Sequence, residues 1–320
     1  MNLKAGIAAS PSHAAPSQPA AQRERDGQWL LIAGGVLLGT IGVFVEEAGQ
    51  HPLVTVWFRC AFGALALLAW CLATGRGREL LLSGRARWVA CATGVLMVMN
   101  WALFFAAIPR TSIAVATVIF HIQPIWVIVF GALFLREAVS PTQWLATLAA
   151  LGGLVLTTGV LDGTAAAAAA SSSGGSGSYM AGVLMCLGGS LCYAGVTLLA
   201  NTQKAISPFA MALWQCLVGA VALVWAPFVL GWPQQGAAWA WLLGLGVVHT
   251  GLAYVVLFAG MARLALGRIA VLQFVYPLTA VLVDWAVYGR TLSAVQLAGV
   301  GLMAAALWTI RRPQLPTKQA

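Results

Sequence analysis

The sequence predicts an all-α polytopic membrane protein in which ten transmembrane helices form two inverted five-helix repeats. Of its 320 residues, 61% are hydrophobic and only 8% are charged, whereas soluble domains carry about 25% charged residues. Apolar runs of about 20 residues, the length that spans a bilayer, recur along the whole chain. Segments of the first half also align with segments of the second. These three observations exclude a soluble globular domain.

The predicted spans are apolar runs bounded by charged residues, proline or glycine. Backbone polar groups in the hydrocarbon must be hydrogen-bonded within the protein, so each span is predicted to be a helix. The ten spans lie near residues 28–46, 52–74, 88–108, 112–135, 141–160, 179–200, 207–230, 238–262, 266–288 and 292–310.

Composition divides the chain into two span-rich segments with polar segments around them. Residues 1–26, rich in Ala, Ser, Pro and charge, are predicted to form a disordered cytoplasmic tail, and residues 27–160 the first repeat. A low-complexity stretch of Ala, Ser and Gly marks residues 161–178 as an external linker. Residues 179–311 are predicted to form the second repeat and residues 312–320 a second cytoplasmic tail.

The distribution of basic residues predicts the orientation of the spans. The two tails and the even-numbered loops hold fourteen Lys and Arg residues, whereas the opposite side holds Arg110 and Arg290. The positive-inside rule therefore predicts cytoplasmic N- and C-termini in a bacterial inner membrane. The net charge of +9 is explained by these topology signals, and no nucleic-acid partner is expected.

The second and seventh spans carry the clearest internal repeat. PLVTVWFRCAFG at 52–63 aligns without a gap on PFAMALWQCLVG at 208–219, which pairs Arg59 with Gln215. Each half holds five predicted spans. Because five is odd, the second half enters the membrane in the opposite orientation. Inverted repeats are typical of secondary transporters, whose substrate site lies near the midplane between the halves.

The fourth and ninth spans also match. IQPIWVIVFG at 122–131 aligns on VYPLTAVLVD at 275–284, which pairs Pro124 with Pro277. Further along, Gln143 pairs with Gln296. Proline interrupts the hydrogen bonding of a helix, so both spans are predicted to bend, either as paired gate hinges or as static kinks that shape a cavity.

Several motifs, in this order, resemble the EamA family of the drug/metabolite transporter superfamily. They are Gly39 in the first span, the P…WFR start of the second at 52–59, NWALFF at 100–105, IQPIWVIVFGALFLRE at 122–137, and Tyr254 with VYPLTAVLV at 275–283. The resemblance implies transport of small organic metabolites without a cofactor, and bacterial members of the family include exporters of amino acids. One position departs from the family pattern, because Arg290 stands where an acidic residue usually follows the ninth span.

Polar and aromatic residues near the middle of the spans are the candidate substrate-binding residues. A charge at the centre of a membrane helix costs about 2.5–3.5 kcal/mol, so polar groups there need a partner or a role. The alternative is interhelical hydrogen bonding that only holds the helices together. The candidates are Asn100, Trp101, Phe120, His121, His249, Thr250, Gln273 and Tyr276.

Arg59 is the one basic residue inside a predicted span. Helical rise places it about 10 Å below the outer end of the second span, at a depth similar to that of Asp284 in the ninth. One hypothesis is functional: Arg59 either contacts a substrate carboxylate or forms an external gate by pairing with Asp284, with Glu46 and Glu47 as rival partners. The other is that Arg59 extends to the outer interface and anchors its helix.

The function predicted from these features is secondary transport of small organic metabolites, most of all amino acids and related compounds, by alternating access and in the direction of export. An importer or exchanger of another metabolite or drug is the alternative. An intramembrane enzyme or a channel is disfavoured because HExxH, GxSxG, P-loop and repeated filter motifs are missing from the sequence. The six cysteines form no CxxC pair, and no metal site is predicted. The expected partners are the lipid bilayer and a small-molecule substrate, with the protein a monomer or a homodimer.

Overall fold

A computed structural model describes residues 19–158, 175–234, 236–289 and 291–310, and this part of the chain is helical and without β-strands. Within these ranges seven helices are long and apolar enough to cross a membrane, and shorter helices complete the two sets of five. In chain order the ten are α1 (Ala20–Ala48), α2 (Pro52–Ala73), α3 (Gly84–Ala107), α4 (Ile113–Phe120 and Gln123–Phe134), α5 (Pro141–Thr157), α6 (Gly175–Thr202), α7 (Pro208–Ala222), α8 (Gly236–Met261), α9 (Leu266–Tyr288) and α10 (Ala294–Thr309).

The first helix begins earlier than the sequence predicts. It starts at Ala20, so residues 20–26 are helical, and their assignment to a disordered tail was wrong. Gln22 and Asp26, four residues apart, are joined by a side-chain hydrogen bond of 2.9 Å, and Glu24 forms an ion pair with Arg268 of α9. Local pairs of this kind stabilise a polar helical turn.

The linker and the tails lie largely outside the described residues. The second half begins with α6 at Gly175, so residues 175–178, predicted to belong to the linker, are helical. Residues 1–18, 159–174 and 311–320 fall outside the described ranges. The predicted seventh span is also divided, since α7 ends at Ala222 and a short helix, Ala226–Leu230, follows a turn.

The helices pack in the pattern of two exchanged repeats. Mates in the two halves pack against each other, namely α2 with α7, α4 with α9 and α5 with α10. In addition, α1 packs on α8 and α9, and its mate α6 packs on α3 and α4. These contacts of one repeat thus have counterparts in the other, as expected for two repeats related by a pseudo-two-fold axis.

The α5–α10 contact shows how closely the repeats approach. Gly153 faces Gly299, and a Cβ added at Gly153 would lie 2.7 Å from the Gly299 carbonyl oxygen. Small residues permit such close packing of membrane helices. The aligned pair Gln143 and Gln296 has equivalent local roles, since each closes a capping box at the start of its helix. This equivalence supports the alignment of the two halves.

Four of the helices are irregular near their middle. The α4 helix is interrupted at 121–122 and α9 at 273–274, in each case shortly before the aligned proline, Pro124 or Pro277. Proline has no N–H group, so the carbonyls four residues earlier lose their helical partners. The α1 helix has a turn at Thr40, and α8 is π-helical over Leu245–Leu252. Such π-helical segments are rare and often occur at functional sites.

Candidate substrate-binding site

Arg59 of α2 is the centre of a polar cluster between the two repeats. Its side chain is buried, and its Nε donates a hydrogen bond of 3.0 Å to Thr250 Oγ1 of α8. Its Nη2 donates one of 3.3 Å to the Tyr254 hydroxyl. The guanidinium carbon lies 5.0 Å from the centre of the Trp101 ring of α3, a distance that gives a cation–π interaction.

The hypothesis of a charge pair between Arg59 and Asp284 was wrong for this conformation. The ion pairs among the described residues are Arg76–Glu79 and Arg268–Glu24, and the guanidinium of Arg59 is held by neutral groups. It extends along α8 from Thr250 to Tyr254, one helical turn further on. The side chain is therefore enclosed within the protein, between α2, α3 and α8.

Aromatic rings surround this cluster on the α4 and α6 side. Phe120 stacks on Tyr193 with ring centres 6.0 Å apart, and Phe104 packs on Phe120 at 5.0 Å. His121, at the break in α4, stacks on Tyr276 of α9 at 5.9 Å. Tyr193 and Trp101 pack against the same buried cluster, which includes Tyr254. Of the candidate residues, Trp101, Phe120, His121, Thr250 and Tyr276 thus lie in or around the Arg59 cluster.

The breaks in α4 and α9 meet at Thr197 of α6. Gln123 and Gln273 each donate an amide hydrogen bond of 3.2 Å to the Thr197 hydroxyl. Among the described residues, the Gln273 side-chain oxygen has no hydrogen-bond partner although it is buried. The backbone oxygens of Phe120 and Gln273 also lack their usual helical donors, because Pro124 and Pro277, four residues later, have no N–H group. The site therefore offers hydrogen-bond acceptors near the two breaks.

Two predicted residues lie at the edge of this cluster. Asn100 donates a hydrogen bond of 2.9 Å to the Gly189 carbonyl oxygen and so joins α3 to α6. His249 is fully buried against Phe44, and its Nε2 lies 2.9 Å from Thr40 Oγ1. Both side chains make the interhelical contacts of the alternative interpretation, although His249 immediately precedes Thr250.

The repeat mate of Arg59 has a different environment. Gln215 is buried on α7, and neither its amide nitrogen nor its amide oxygen has a hydrogen-bond partner among the described residues. The aligned positions thus hold a bonded cation on one side of the pseudo-two-fold axis and an unbonded neutral amide on the other.

Some residues of the cluster were not selected by the sequence analysis. Tyr193 and Thr197 lie four residues apart on α6, the spacing of one helical face, and Gln123 immediately precedes Pro124. A polar stripe on an otherwise apolar span was the available signal. No group of three potential metal ligands occurs within the described ranges.

Two inverted repeats, broken helices at corresponding positions and a buried polar cluster between them define the class of membrane transporters. Comparison with known proteins identifies the family. The EamA-like transporter family matches residues 26–159 and 180–312, one match to each repeat. The chain therefore belongs to the EamA-like transporter family.

Relatives of known sequence are similar over most of the chain. An uncharacterized transporter of Archaeoglobus fulgidus is 28% identical over 283 residues, covering 88% of this chain and 94% of its own. The uncharacterized transporter YxxF of Bacillus subtilis is 26% identical, covering 88% and 89%. The pseudopaline exporter CntI of Pseudomonas aeruginosa is 25% identical over 232 residues, covering 68% and 75%.

A solved crystal structure has the same fold. It superposes with a TM-score of 0.75 at 19% sequence identity and covers 88% of this chain and 96% of its own. The architecture of two five-helix repeats is thus shared with an experimentally determined protein.

Proposed function

We propose that this chain is a secondary transporter that exports small organic metabolites carrying a carboxylate, amino acids and related compounds above all, across the bacterial inner membrane. The observation that carries the proposal is the buried Arg59 guanidinium, which neutral groups hold at the centre of the cluster. A substrate carboxylate would supply the missing opposite charge.

The energetics favour an anionic group at this position. Removing a guanidinium from water within a membrane is costly, so intramembrane charges are commonly functional. Arginine binds a carboxylate through two parallel hydrogen bonds, which are stronger than bonds between neutral groups. The rings of Trp101, Phe120 and Tyr193 are available for the apolar part of the substrate, and the Gln273 side-chain oxygen is an acceptor for an amino group.

Alternating access would use the two broken helices. The interruptions of α4 and α9 lie at corresponding positions in the two repeats, next to the site. Discontinuous helices at a repeat interface are where transporters bind substrate and bend. In this mechanism Pro124 and Pro277 act as hinges, and the site opens to one side of the membrane at a time.

Export, as opposed to import, is supported by the name of one relative, the pseudopaline exporter CntI.

The orientation with cytoplasmic termini is supported by the distribution of Lys and Arg. Single cysteines at Gln50 and Arg78 in a cysteine-free background test it. In intact cells an impermeant reagent should label the first and not the second, and the reverse pattern would contradict the proposed topology.

Counterflow in proteoliposomes tests the substrate class. Three compounds with the same ring separate its charge requirements, namely phenylalanine, phenylpropionate, which lacks the amine, and phenethylamine, which lacks the carboxylate. We expect exchange with compounds that carry a carboxylate and none with phenethylamine. Equal transport of phenethylamine would contradict the role of Arg59. Flux without exchange would indicate a channel, and chemical conversion of the solute an enzyme.

A further inference from the structure

A groove of about 380 Å³ lies on the outside of the protein, away from the Arg59 cluster. It lies between α3, α4 and α6, at the end of the molecule where the sequence predicts the cytoplasm. Val89, Phe130, Phe134 and Leu198 line its length, and Arg85 and Gln203 are among its polar lining residues. The groove is therefore apolar along the membrane and polar at its end.

One wall of the groove is formed by the aromatic rings of Phe130 and Phe134 on α4, and Trp126 continues this aromatic row one turn beyond the groove lining. Trp126 and Phe130 stack with ring centres 6.0 Å apart, and Phe130 and Phe134 lie 5.7 Å apart. Trp126 is fixed because its indole N–H donates a hydrogen bond of 3.0 Å to Ser190 of α6. The row runs from Trp126 to Phe134, eight helical steps or about 12 Å, which is long enough to reach from the membrane surface into the hydrocarbon. A surface of this shape and polarity suits an acyl chain.

Three cations from three segments of the chain lie in the lining of the polar end of the groove or one residue beyond it in the sequence. Arg85 lines it from the start of α3. Arg136 directly follows the lining residue Leu135, and Lys204 directly follows the lining residue Gln203. All three are exposed, and none forms either of the two ion pairs within the described part of the chain.

The nearest acidic residue along the sequence is already engaged elsewhere. Glu137 follows Arg136, but its carboxylate accepts a hydrogen bond of 2.9 Å from the backbone N–H of Leu266 at the start of α9. The mouth of the groove thus has three cations against one carboxylate next to them in the sequence, and that carboxylate is held at the start of α9.

We propose that this groove is a binding site for an anionic phospholipid, with one acyl chain along the aromatic row and the phosphate near Arg85, Arg136 and Lys204. The cytoplasmic leaflet is rich in anionic lipid, and each basic residue near such a surface strengthens binding. A zwitterionic lipid would fit the apolar part of the groove but would leave the three cations without a net opposite charge.

Native mass spectrometry of the purified full-length protein tests the proposal. The protein is titrated with phosphatidylglycerol or with phosphatidylcholine of identical chains, and bound lipid is counted. We expect the first phosphatidylglycerol molecule to bind at lower concentration than phosphatidylcholine. The double variant Arg85→Gln/Lys204→Gln should weaken it by roughly fivefold for each cation removed.

A matched control distinguishes specific binding in the groove from nonspecific attraction of the lipid by surface charge. Arg78→Gln/Arg87→Gln removes the same charge from exposed residues at the same end of the molecule that do not line the groove, and it should leave the first binding step unchanged. Val89→Trp, which fills the groove and keeps every cation, should abolish the step. Equal binding of the two lipids by the parent protein, or equal losses in the two double variants, would overturn the proposal.

Discussion

The hydroxyl of Thr40 lies 2.9 Å from Nε2 of His249 and so connects the break in α1 to the π-helical part of α8. The next residue, Thr250, accepts the hydrogen bond from Arg59. The geometry of α1 and the position of the guanidinium are therefore linked through two adjacent residues. Because α1 also packs on α9, this link reaches one of the two broken helices.

Removing the Thr40 hydroxyl should weaken the α1–α8 contact. Thr40→Val keeps the shape of the side chain and should lower the free energy of unfolding by about 0.6–2 kcal/mol, as for other interhelical bonds in membranes. Thermal unfolding of the purified protein measures the loss. Thr74→Val, which removes an exposed hydroxyl bonded only to its own helix, should change it little. If the double variant Thr40→Val/His249→Leu is no less stable than the less stable of the two single variants, the two side chains are bonded directly to each other.

Substitution of Arg59 should impair transport more than folding. Arg59→Gln, which copies its repeat mate, should weaken apparent substrate affinity on the order of 10- to 100-fold, because bonds to a charged group are lost. Arg59→Lys keeps the positive charge but lacks the planar guanidinium group. Its apparent substrate affinity should lie between those of the parent and Arg59→Gln. Counterflow rates normalised to folded protein are the measurement, with Arg78→Gln as control. Parent-like transport by Arg59→Gln would place the substrate elsewhere.

The α5–α10 contact should tolerate no added methyl group. Gly299→Ala places a Cβ within 2.8 Å of the Leu156 Cβ atom, so we expect a loss of about 1–3 kcal/mol from overpacking. Gly301→Ala, two residues away on the same helix, meets nothing within 4 Å and should be neutral or stabilising by up to about 1 kcal/mol. Thermal unfolding of the pair tests the contact, and equal midpoints would show that the helices are farther apart.

A carboxylate outside the membrane should make stability depend on pH. The pKa of Glu79 is lowered by hydrogen bonds from Arg76 and from Ser207, at the start of α7. The stabilisation of the folded state by the ionised Glu79 carboxylate is fully present above the pKa that Glu79 has in the unfolded state. It is lost as the pH falls through the lower pKa of Glu79 in the folded state. Glu79→Gln should therefore be less stable than the parent near pH 7 and should approach it in acid. A difference that grows with acidification would contradict this assignment.

Apolar pattern and internal alignment were sufficient to predict the repeats, but not the orientation of individual side chains. Gln143 and Gln296 were paired by alignment alone, and each closes a capping box. In contrast, the depth of Arg59 was predicted without its direction. That direction depends on the rotation of α2 against α8, which is set by tertiary packing.

Irregular helical segments were harder to predict where no proline marks them. The interruptions of α4 and α9 precede Pro124 and Pro277, whereas the π-helical segment Leu245–Leu252 has no such residue and the turn at Thr40 depends on packing against α8. Tyr193 was missed for a related reason. From the sequence alone, a single tyrosine in an apolar span could face lipid, the protein core or the binding site. The neighbouring helix has to be known to distinguish these positions.

The unequal pair of Arg59 and Gln215 has a consequence for the transport cycle. If the repeats exchange conformations as the protein turns from one side of the membrane to the other, each unequal pair of aligned residues contributes to the free-energy difference between the two states. A charged guanidinium opposite a neutral amide is a large contribution of this kind, because a charge inside the membrane is costly. The empty protein then has a preferred resting side, and the bound solute sets how far the population moves from it.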